Sequence, residues 1–323
     1  MIAVAAARGA ASRERNIGAI RACAAPRRAP PTWNAAHPGS VTIPMMTDGI
    51  RRATANDYGA YAVLFRELGV DDPTPSAERF AAEIAAGILI YERDGAPIGY
   101  VSYDKLAADG YIRNLVVAPG ARGAGIGAAL MTAAASRLRA RGATAAWHLN
   151  VKADNVAAIR LYERLGMRAE HRSVALRFAW ADLDRLPAEA TGVTVLRVFD
   201  GDDDDLERAL GILAGRLQMA RTRGDRVTLQ LRDEQLAPVG VACFDPGFPG
   251  AFPFCATRPA LAALLLRALR SHARPGDRDL QIVIEDDDGL ADALIAAGAA
   301  VRMRLVHYAG PLPDGAAWPG SCK

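Results

Sequence analysis

The chain has 323 residues, of which 51% are hydrophobic and 23% are charged, with a formal net charge of +3. This length predicts about two domains of a soluble globular protein. The first 45 residues hold six arginines against one glutamate, which leaves −2 for the remainder. The nearly neutral remainder argues against a nucleic-acid partner, and no apolar run of about 20 residues predicts a membrane span.

The N-terminal segment 1–47 is rich in Ala, Arg and Pro and shows no sustained period. We expect a disordered extension, with an Arg-rich transit peptide and an upstream start before Met45 and Met46 as the alternatives. The chain has four cysteines without a CxxC pair: Cys23, Cys243, Cys255 and Cys322. This spacing argues against a metal site or a disulfide framework and favours a cytoplasmic location.

Strands and helices alternate through the next segment. In chain order we expect a strand at 49–53, a helix from Ala55, a second helix capped by Ser76, and a hairpin of strands 88–93 and 97–103 around Asp94-Gly95. A strand at 111–117, a long helix at 126–141, a strand at 145–151, a short helix at 155–165 and closing strands at 168–178 follow. The pattern predicts a mixed α/β (α+β) fold with a mostly antiparallel central sheet flanked by helices.

A glycine-rich loop joins the strand at 111–117 to the long helix. It contains Arg122, Gly123, Gly125 and Gly127. Glycine lets backbone approach a ligand closely, and the N–H groups at a helix start attract anions, so a diphosphate is the expected guest. No Lys-Ser/Thr pair follows, which excludes a Walker loop, and at least three strands come first, which argues against a dinucleotide fold.

A second motif, Asn155 to Met167, follows about thirty residues later. Asn155 is a helix cap and Gly166 a helix terminator. Tyr162 is either one more packed ring or a hydroxyl beside the ligand.

Together, Arg122-Gly-Ala-Gly-Ile-Gly127 and Asn155-x-x-Ala-x-x-Leu-Tyr162-Glu-x-Leu-Gly166-Met resemble the GNAT superfamily of acyl-CoA N-acyltransferases. The resemblance covers about residues 50–178. It implies direct attack of an amine on the thioester of acetyl-CoA, with Tyr162 protonating the leaving thiolate. It also implies a cofactor site formed by Leu115, Val116, Val117, Arg122, Gly123, Ala124, Gly125, Ile126, Gly127 and Asn155.

The general base departs from this family's pattern, because Asn150 stands where a carboxylate is expected. His148 shares a strand face with Asn150 and is the candidate base, although packing beside Trp147 is the alternative interpretation. Asp104 and Asp109, acting through water, are further alternatives. Arg113 is predicted to anchor an acceptor that carries a carboxylate.

The C-terminal part repeats the order of elements without the motifs. Ala96-Pro-Ile-Gly99 returns as Ala237-Pro-Val-Gly240, but Pro259 leads straight into a helix and Leu294 replaces Tyr162. We therefore expect a GNAT domain at 48–185, a degenerate copy at 193–311 that binds no acetyl-CoA, and a loose tail at 312–323. The expected function is acetylation of a primary amine on a small molecule or peptide, with a non-catalytic acetyl-CoA sensor as the alternative. A homodimer is left open.

Overall fold

The computed structural model describes residues 48–70, 72–187, 192–199 and 201–313. The predicted extension at 1–47 and the predicted tail from residue 314 onwards lie outside them. None of the helices in the described ranges combines the length and the apolar character that a membrane crossing requires.

Twelve strands form one continuous sheet in the described residues. Their bounds are β1 Gly49–Arg52, β2 Ile88–Arg93, β3 Ala96–Leu106, β4 Asp109–Val117, β5 Ala146–Lys152, β6 Arg168–Ala179, β7 Thr194–Arg197, β8 Val227–Arg232, β9 Pro238–Asp245, β10 Gly250–Ala256, β11 Asp279–Glu285 and β12 Ala300–Pro311. Most neighbours pair antiparallel, as predicted. The closing strands expected at 168–178 are a single strand, β6, because the chain runs through this segment without a turn.

Eight α-helical segments cover the sheet in the same ranges. They are α1 Tyr58–Arg66, α2 Ala77–Arg79, α3 Ile126–Ala140, α4 Val156–Arg164, α5 Asp203–Leu210, α6 Arg216–Arg221, α7 Pro259–Arg270 and α8 Asp288–Ala296. The predicted Ser76 cap is confirmed, since its hydroxyl accepts a hydrogen bond from the Arg79 N–H. Short 3-10 turns at Ala55–Asp57, Ala85–Gly87, Pro119–Ala121 and Trp180–Arg185 complete the connections, and α2 continues as a π-helical turn at Phe80–Ile84.

The two halves of the chain exchange their last strands. The sheet order is β1-β2-β3-β4-β5-β12-β6-β11-β10-β9-β8-β7. Strand β12 of the C-terminal half therefore pairs with β5 of the N-terminal half, while β6 pairs with β11. The exchanged strands also pair with each other at the centre. Each half thus completes its sheet with a strand from the other half.

The hydrophobic cores follow this exchange. The core beneath α3 and α4 includes Tyr308 and Leu312 from the C-terminal end. The core beneath α7 and α8 includes Leu176 and Phe178 from β6. A third core lies on the opposite face of the sheet, under α1 and α2, and it too joins residues of both halves. Burial of apolar surface therefore stabilises the halves jointly rather than separately.

The predicted repeat is confirmed in backbone detail. Asn155 caps α4 by accepting from the Ala158 N–H at 3.2 Å, and Asp287 caps α8 in the same way from the Leu290 N–H at 2.8 Å. Gly99 and Gly240 also correspond. A Cβ on Gly99 would lie 3.4 Å from a Leu130 methyl of α3, and one on Gly240 would lie 3.3 Å from a Leu265 methyl of α7. The neighbouring strand lies closer still, because the same Cβ atoms would lie 2.8 Å from the Val116 carbonyl oxygen and 3.2 Å from that of Cys255. Glycine is therefore favoured at both positions.

Candidate active site

The site begins where two parallel strands separate. Strands β4 and β5 pair only from Gly110 to Ile112, opposite Trp147 to Leu149. Beyond that point the ladder between them ends, although β4 continues to Val117. The backbone of Leu115 to Val117 therefore borders a gap in the sheet on its β5 side, and it is available to hydrogen-bond an extended ligand.

The glycine-rich loop turns β4 into α3 at the mouth of this gap. Gly123 and Gly125 have φ of 84° and 79°, in the left-handed region that favours glycine. Gly125 is the N-cap of α3, and no side chain caps this helix start. The first hydrogen bond of the helix joins the Ala129 N–H to the Gly125 carbonyl at 3.0 Å. The N–H groups of the first turn and the helix dipole therefore favour an anion here.

A groove of about 430 Å³ opens over this helix start. The lining residues are Leu115, Val117, Ala121, Arg122, Gly123, Gly125, Ile126, Gly127, Ala128, Ala157, Ala158, Arg160, Leu161 and Arg164. Three of them are arginines and none is acidic. The groove thus combines an apolar floor with cationic walls, which fits a ligand that carries several phosphate charges on an apolar arm.

Arg122 lies in the groove wall, but its guanidinium already has protein partners. Its Nε donates to the Val117 carbonyl at 3.0 Å, and one terminal nitrogen contacts Glu67 at 3.0 Å. These bonds hold the arginine rigidly beside the loop. They also mean that the backbone N–H groups, rather than this side chain alone, are the donors that a diphosphate would meet.

The second motif packs under the groove. The side-chain carbonyl oxygen of Asn155 accepts the hydrogen bond that caps α4, and Asn155 does not line the groove. Tyr162 is only 1% exposed and lies in the core beneath α3 and α4, 6.4 Å from the Tyr308 ring between centroids. Burial raises the pKa of the Tyr162 phenol well above its ordinary value, so the hydroxyl keeps its proton at neutral pH.

A chain of buried polar side chains crosses the centre of the sheet. Asp109 lies 3.2 Å from His148 Nε2, and His148 Nδ1 lies 3.2 Å from His307 Nε2. The chain continues from His307 Nδ1 to the Asn150 carbonyl oxygen at 3.0 Å. His148 and Asn150 share a strand face, as predicted, and both contact His307. The alternative of His148 packing against Trp147 is wrong, because Trp147 lies in the α3–α4 core on the other face.

The hydrogen-bonded side chains from Asp109 to Asn150 have fewer protons than contacts when both histidines are neutral. The two ends of this chain are oxygen acceptors, the Asp109 carboxylate and the side-chain carbonyl of Asn150. The Asn150 amide nitrogen donates to Glu285 at 3.4 Å, and this bond sets the orientation of the Asn150 side chain. The three contacts need three N–H groups, whereas two neutral imidazoles supply only two. Burial and neighbouring cationic groups lower the pKa of His307 to about 2, so it stays neutral. One further proton would therefore complete the three contacts of this hydrogen-bonded chain.

The same region holds two overlapping groups with the geometry of metal ligands. One is His148, Glu170 and His307, and the other is His171, Glu285 and His307. In each group the ligand atoms lie within 4.8 Å of one another. Because His307 is neutral, its 3.9 Å approach to Glu170 is not an ion pair. The expectation that the protein uses no metal stays a prediction.

Arg113 and Asp104 contact each other instead of standing separately at the cleft. The Arg113 guanidinium lies 3.3 Å from Asp104, which also contacts Arg223. Burial raises the pKa of Asp104 despite these cations. Asp104 is therefore held by two arginines, which argues against its role as a water-assisted base.

The C-terminal half lacks the corresponding site in the described residues. Strands β10 and β11 also separate after a short parallel ladder, at Gly250 and Ala251. However, only Thr257 and Arg258 connect β10 to α7, whose first residue, Pro259, has no N–H to donate. The position of Tyr162 is taken by Leu294, which is fully buried.

Sequence reasoning missed several residues of this region. Arg160 and Arg164 line the groove from one face of α4. Their i,i+4 spacing in the sequence could have indicated this, since such residues are neighbours on a helix surface. His307 and Arg216 come from the second half. No local pattern predicts them here, because the strand exchange brings His307 beside His148, and the packing of α6 on the first half brings Arg216 beside Tyr111.

Comparison with known proteins agrees with this geometry. The family model described as "Acetyltransferase (GNAT) family" matches residues 58–167. Mycothiol acetyltransferase of Streptomyces avermitilis is 41% identical over 95 residues, which is 28% of this chain and 30% of that protein. Its counterpart in Streptomyces coelicolor is 40% identical over 84 residues, 25% of this chain and 26% of that protein. The chain thus matches less than a third of the length of these relatives.

Solved structures extend the likeness to both halves at the level of fold. A GCN5-related N-acetyltransferase from Sphaerobacter thermophilus has a TM-score of 0.60 at 20% identity, covering 83% of this chain and 96% of that one. A tandem GNAT protein from the clavulanic acid biosynthesis pathway has a TM-score of 0.53 at 18% identity, covering 83% and 99%. The chain therefore has a tandem GNAT fold. Residues 58–167 are the part of it that matches the GNAT acetyltransferase family model.

Proposed function

We propose that the protein is an N-acetyltransferase that moves the acetyl group of acetyl-CoA to a primary amine of a small molecule or peptide. The observation that carries this proposal is the uncapped start of α3, with Gly125 as its N-cap, opening into a groove with three arginines and no acid. The donors present there suit a diphosphate, and the adjoining gap between β4 and β5 suits an extended arm.

The N-terminal half would hold the whole of acetyl-CoA. The N–H groups at the start of α3 would bind the diphosphate, Arg122 would fix the loop, and Arg160 and Arg164 would add positive charge. Backbone groups of Leu115 to Val117 would orient the arm and the thioester. Such positioning replaces a bimolecular encounter by a reaction between held groups, which is the main rate advantage available without a covalent intermediate.

Tyr162 is proposed as the general acid. Its phenol is neutral, since burial raises its pKa, and a neutral hydroxyl can donate a proton to a departing thiolate. The role requires only the hydroxyl, so the ring packing seen in the core is compatible with it.

The polar chain from Asp109 to Asn150 is proposed as the proton acceptor. It gains a hydrogen bond when it takes up one proton, and this tendency stands in for the carboxylate that is missing at Asn150. If His148 belongs to the proton acceptor, His148→Ala should remove a pH dependence of the rate that the wild type shows. An unchanged pH profile would assign the proton to water or an Asp instead.

Transfer assays against a panel of primary amines test the proposal. The acceptors of mycothiol acetyltransferases belong in the panel because of the two relatives, together with amino acids, short peptides and polyamines. We expect release of free CoA that depends on at least one amine. Binding of acetyl-CoA without transfer to any amine would favour the alternative, a cofactor-sensing module.

A further inference from the structure

A small cavity lies between the two halves, on the face of the sheet opposite the cofactor groove. Its volume is about 50 Å³. Strand β4 contributes Tyr111 and Arg113 to its wall, and the C-terminal half contributes Arg216, Arg226, Asp245 and Phe252. An irregularity in β4 between Ile112 and Asn114 places Tyr111 on the face opposite to Leu115 and Val117, which line the groove.

The three arginines of this cavity differ in their partners. Arg113 contacts Asp104 at 3.3 Å, and Arg226 contacts Asp245 at 3.3 Å. Arg216 has no ion pair to any described residue, and its Nε is buried without a hydrogen-bond partner. Arg216 is nevertheless only 1% exposed, so water does not replace the missing partner.

The local structure holds Arg216 in this position. Glu207 accepts from the N–H groups of Gly215 and Leu217, both at 2.7 Å, and so fixes the start of α6. Gly215 has a φ of 77° and touches the first half directly, because a Cβ there would lie 2.6 Å from the Ala107 nitrogen. The guanidinium is therefore placed by the contact between the halves rather than by a mobile loop.

The surroundings of Arg216 compensate its charge only in part. Burial lowers the pKa of the guanidinium, whereas Tyr111, by charge and hydrogen bond, and the carboxylates of Glu285 and Asp104 raise it, so that it lies above its ordinary value. The guanidinium carbon lies 4.1 Å from the centre of the Tyr111 ring and 5.0 Å from that of Phe252. Ring faces attract a cation, but they offset only part of the cost of removing a guanidinium from water. Arg216 lines the cavity, and a buried guanidinium with an unpartnered nitrogen can bind a planar anion in a bidentate manner.

We propose that Arg216 binds a carboxylate of the acceptor, so that the degenerate half supplies the specificity of the active half. The cavity has room for about four water-sized positions, which suits a carboxylate and excludes a nucleotide. The substrate class is then an amino acid or a peptide that carries its carboxylate near the reacting amine. The kinetic test of this inference rests on the proposed acetyl transfer, whereas its second test measures binding alone.

The kinetic test compares acceptors in matched pairs. Glycylglycine is compared with glycylglycinamide, and β-alanine with β-alaninamide, by the ratio of kcat/KM for the acid to that for the amide. We expect a ratio of at least about 10 in the wild type and a ratio near 1 in Arg216→Met. The control Arg221→Met removes an arginine of the same helix that pairs with Asp203 outside the cavity, and it should keep the wild-type ratio. An unchanged ratio in Arg216→Met would overturn the proposal.

A binding test separates this inference from the proposed function. N-acetylglycine should raise the melting temperature of the wild type and of Arg221→Met, but not that of Arg216→Met, while N-acetylglycinamide should raise none. If no amine were acetylated, the proposed function would fail, yet this pattern would still support the anion site at Arg216. Equal shifts by N-acetylglycine in the wild type and in Arg216→Met would refute the site, whatever the enzyme assay shows.

Discussion

Replacing Gly125 with valine tests the cofactor site most directly. Gly125 has a φ of 79°, and a Cβ built on it meets no atom within 4 Å. The new side chain would therefore point into the open groove and would strain the backbone instead of colliding with the core. For an L-residue the left-handed conformation costs about 1–2 kcal/mol, and a β-branched residue is disfavoured further.

The expected loss of affinity exceeds this strain. A diphosphate at the start of α3 would accept charge-assisted bonds from the first-turn N–H groups, each worth about 1.5–3 kcal/mol. Displacing two of them should weaken acetyl-CoA binding by at least about 100-fold, since 1.4 kcal/mol is a factor of ten. Isothermal titration calorimetry measures the affinity, and urea unfolding measures the strain.

A matched control separates strain from lost binding. Gly211 also has positive φ, 67°, and open space at its Cβ, but it ends α5 in the other half. Gly211→Val should therefore lose similar stability and keep the wild-type affinity. If Gly125→Val bound acetyl-CoA as tightly as Gly211→Val, the diphosphate would not lie at this helix start.

Three other outcomes follow from the structure. Tyr162→Phe should lower turnover by about 10²–10⁴-fold with little change in acetyl-CoA affinity, as single-turnover kinetics and calorimetry would show; normal turnover at every pH, with chemistry rate-limiting, would refute the acid role. Because His307 has a folded pKa of about 2 against about 6.5 unfolded, the unfolded chain takes up the proton first and stability falls with pH below 6.5. In urea titrations, the free energy of unfolding should fall by about 2 kcal/mol less in His307→Gln than in the wild type between pH 6.5 and 5. Parallel pH curves for the two proteins would contradict this. Gly215→Ala should destabilise the fold by about 2–4 kcal/mol, through backbone strain and contact with Ala107, whereas Gly211→Ala should show the strain alone; equal effects would mean that the halves are not tightly packed there.

The sequence was sufficient for features that local chemistry determines. Gly125, the Asn155 cap and the DG turn at Asp94 each depend on a few adjacent residues, and their patterns were readable. The face shared by His148 and Asn150 followed from strand period alone. The tandem architecture was also predictable, because the repeat keeps its turn residues and caps.

The sequence was insufficient where distant segments meet. His307 contacts His148 only because β12 pairs with β5, and the sequence pattern of neither strand predicts this pairing. Arg216 looks like an ordinary residue at the start of a short helix, and its burial depends on the first half's Tyr111. Side-chain contacts such as that between Arg122 and Glu67 could not be predicted either, because they depend on how side chains of separate elements are placed.

The position of β12 has a consequence for how the protein is made. This strand is the last of the described elements to leave the ribosome, yet it lies in the middle of the sheet, between β5 and β6. Until it arrives, the inner edge of β5 has no partner and is open to pairing with other chains. Contacts between residues this far apart in sequence also form slowly. The nascent protein therefore depends on protection of that edge while residues 153–311 are made, and a premature stop before residue 300 would leave the sheet of the N-terminal half without this strand.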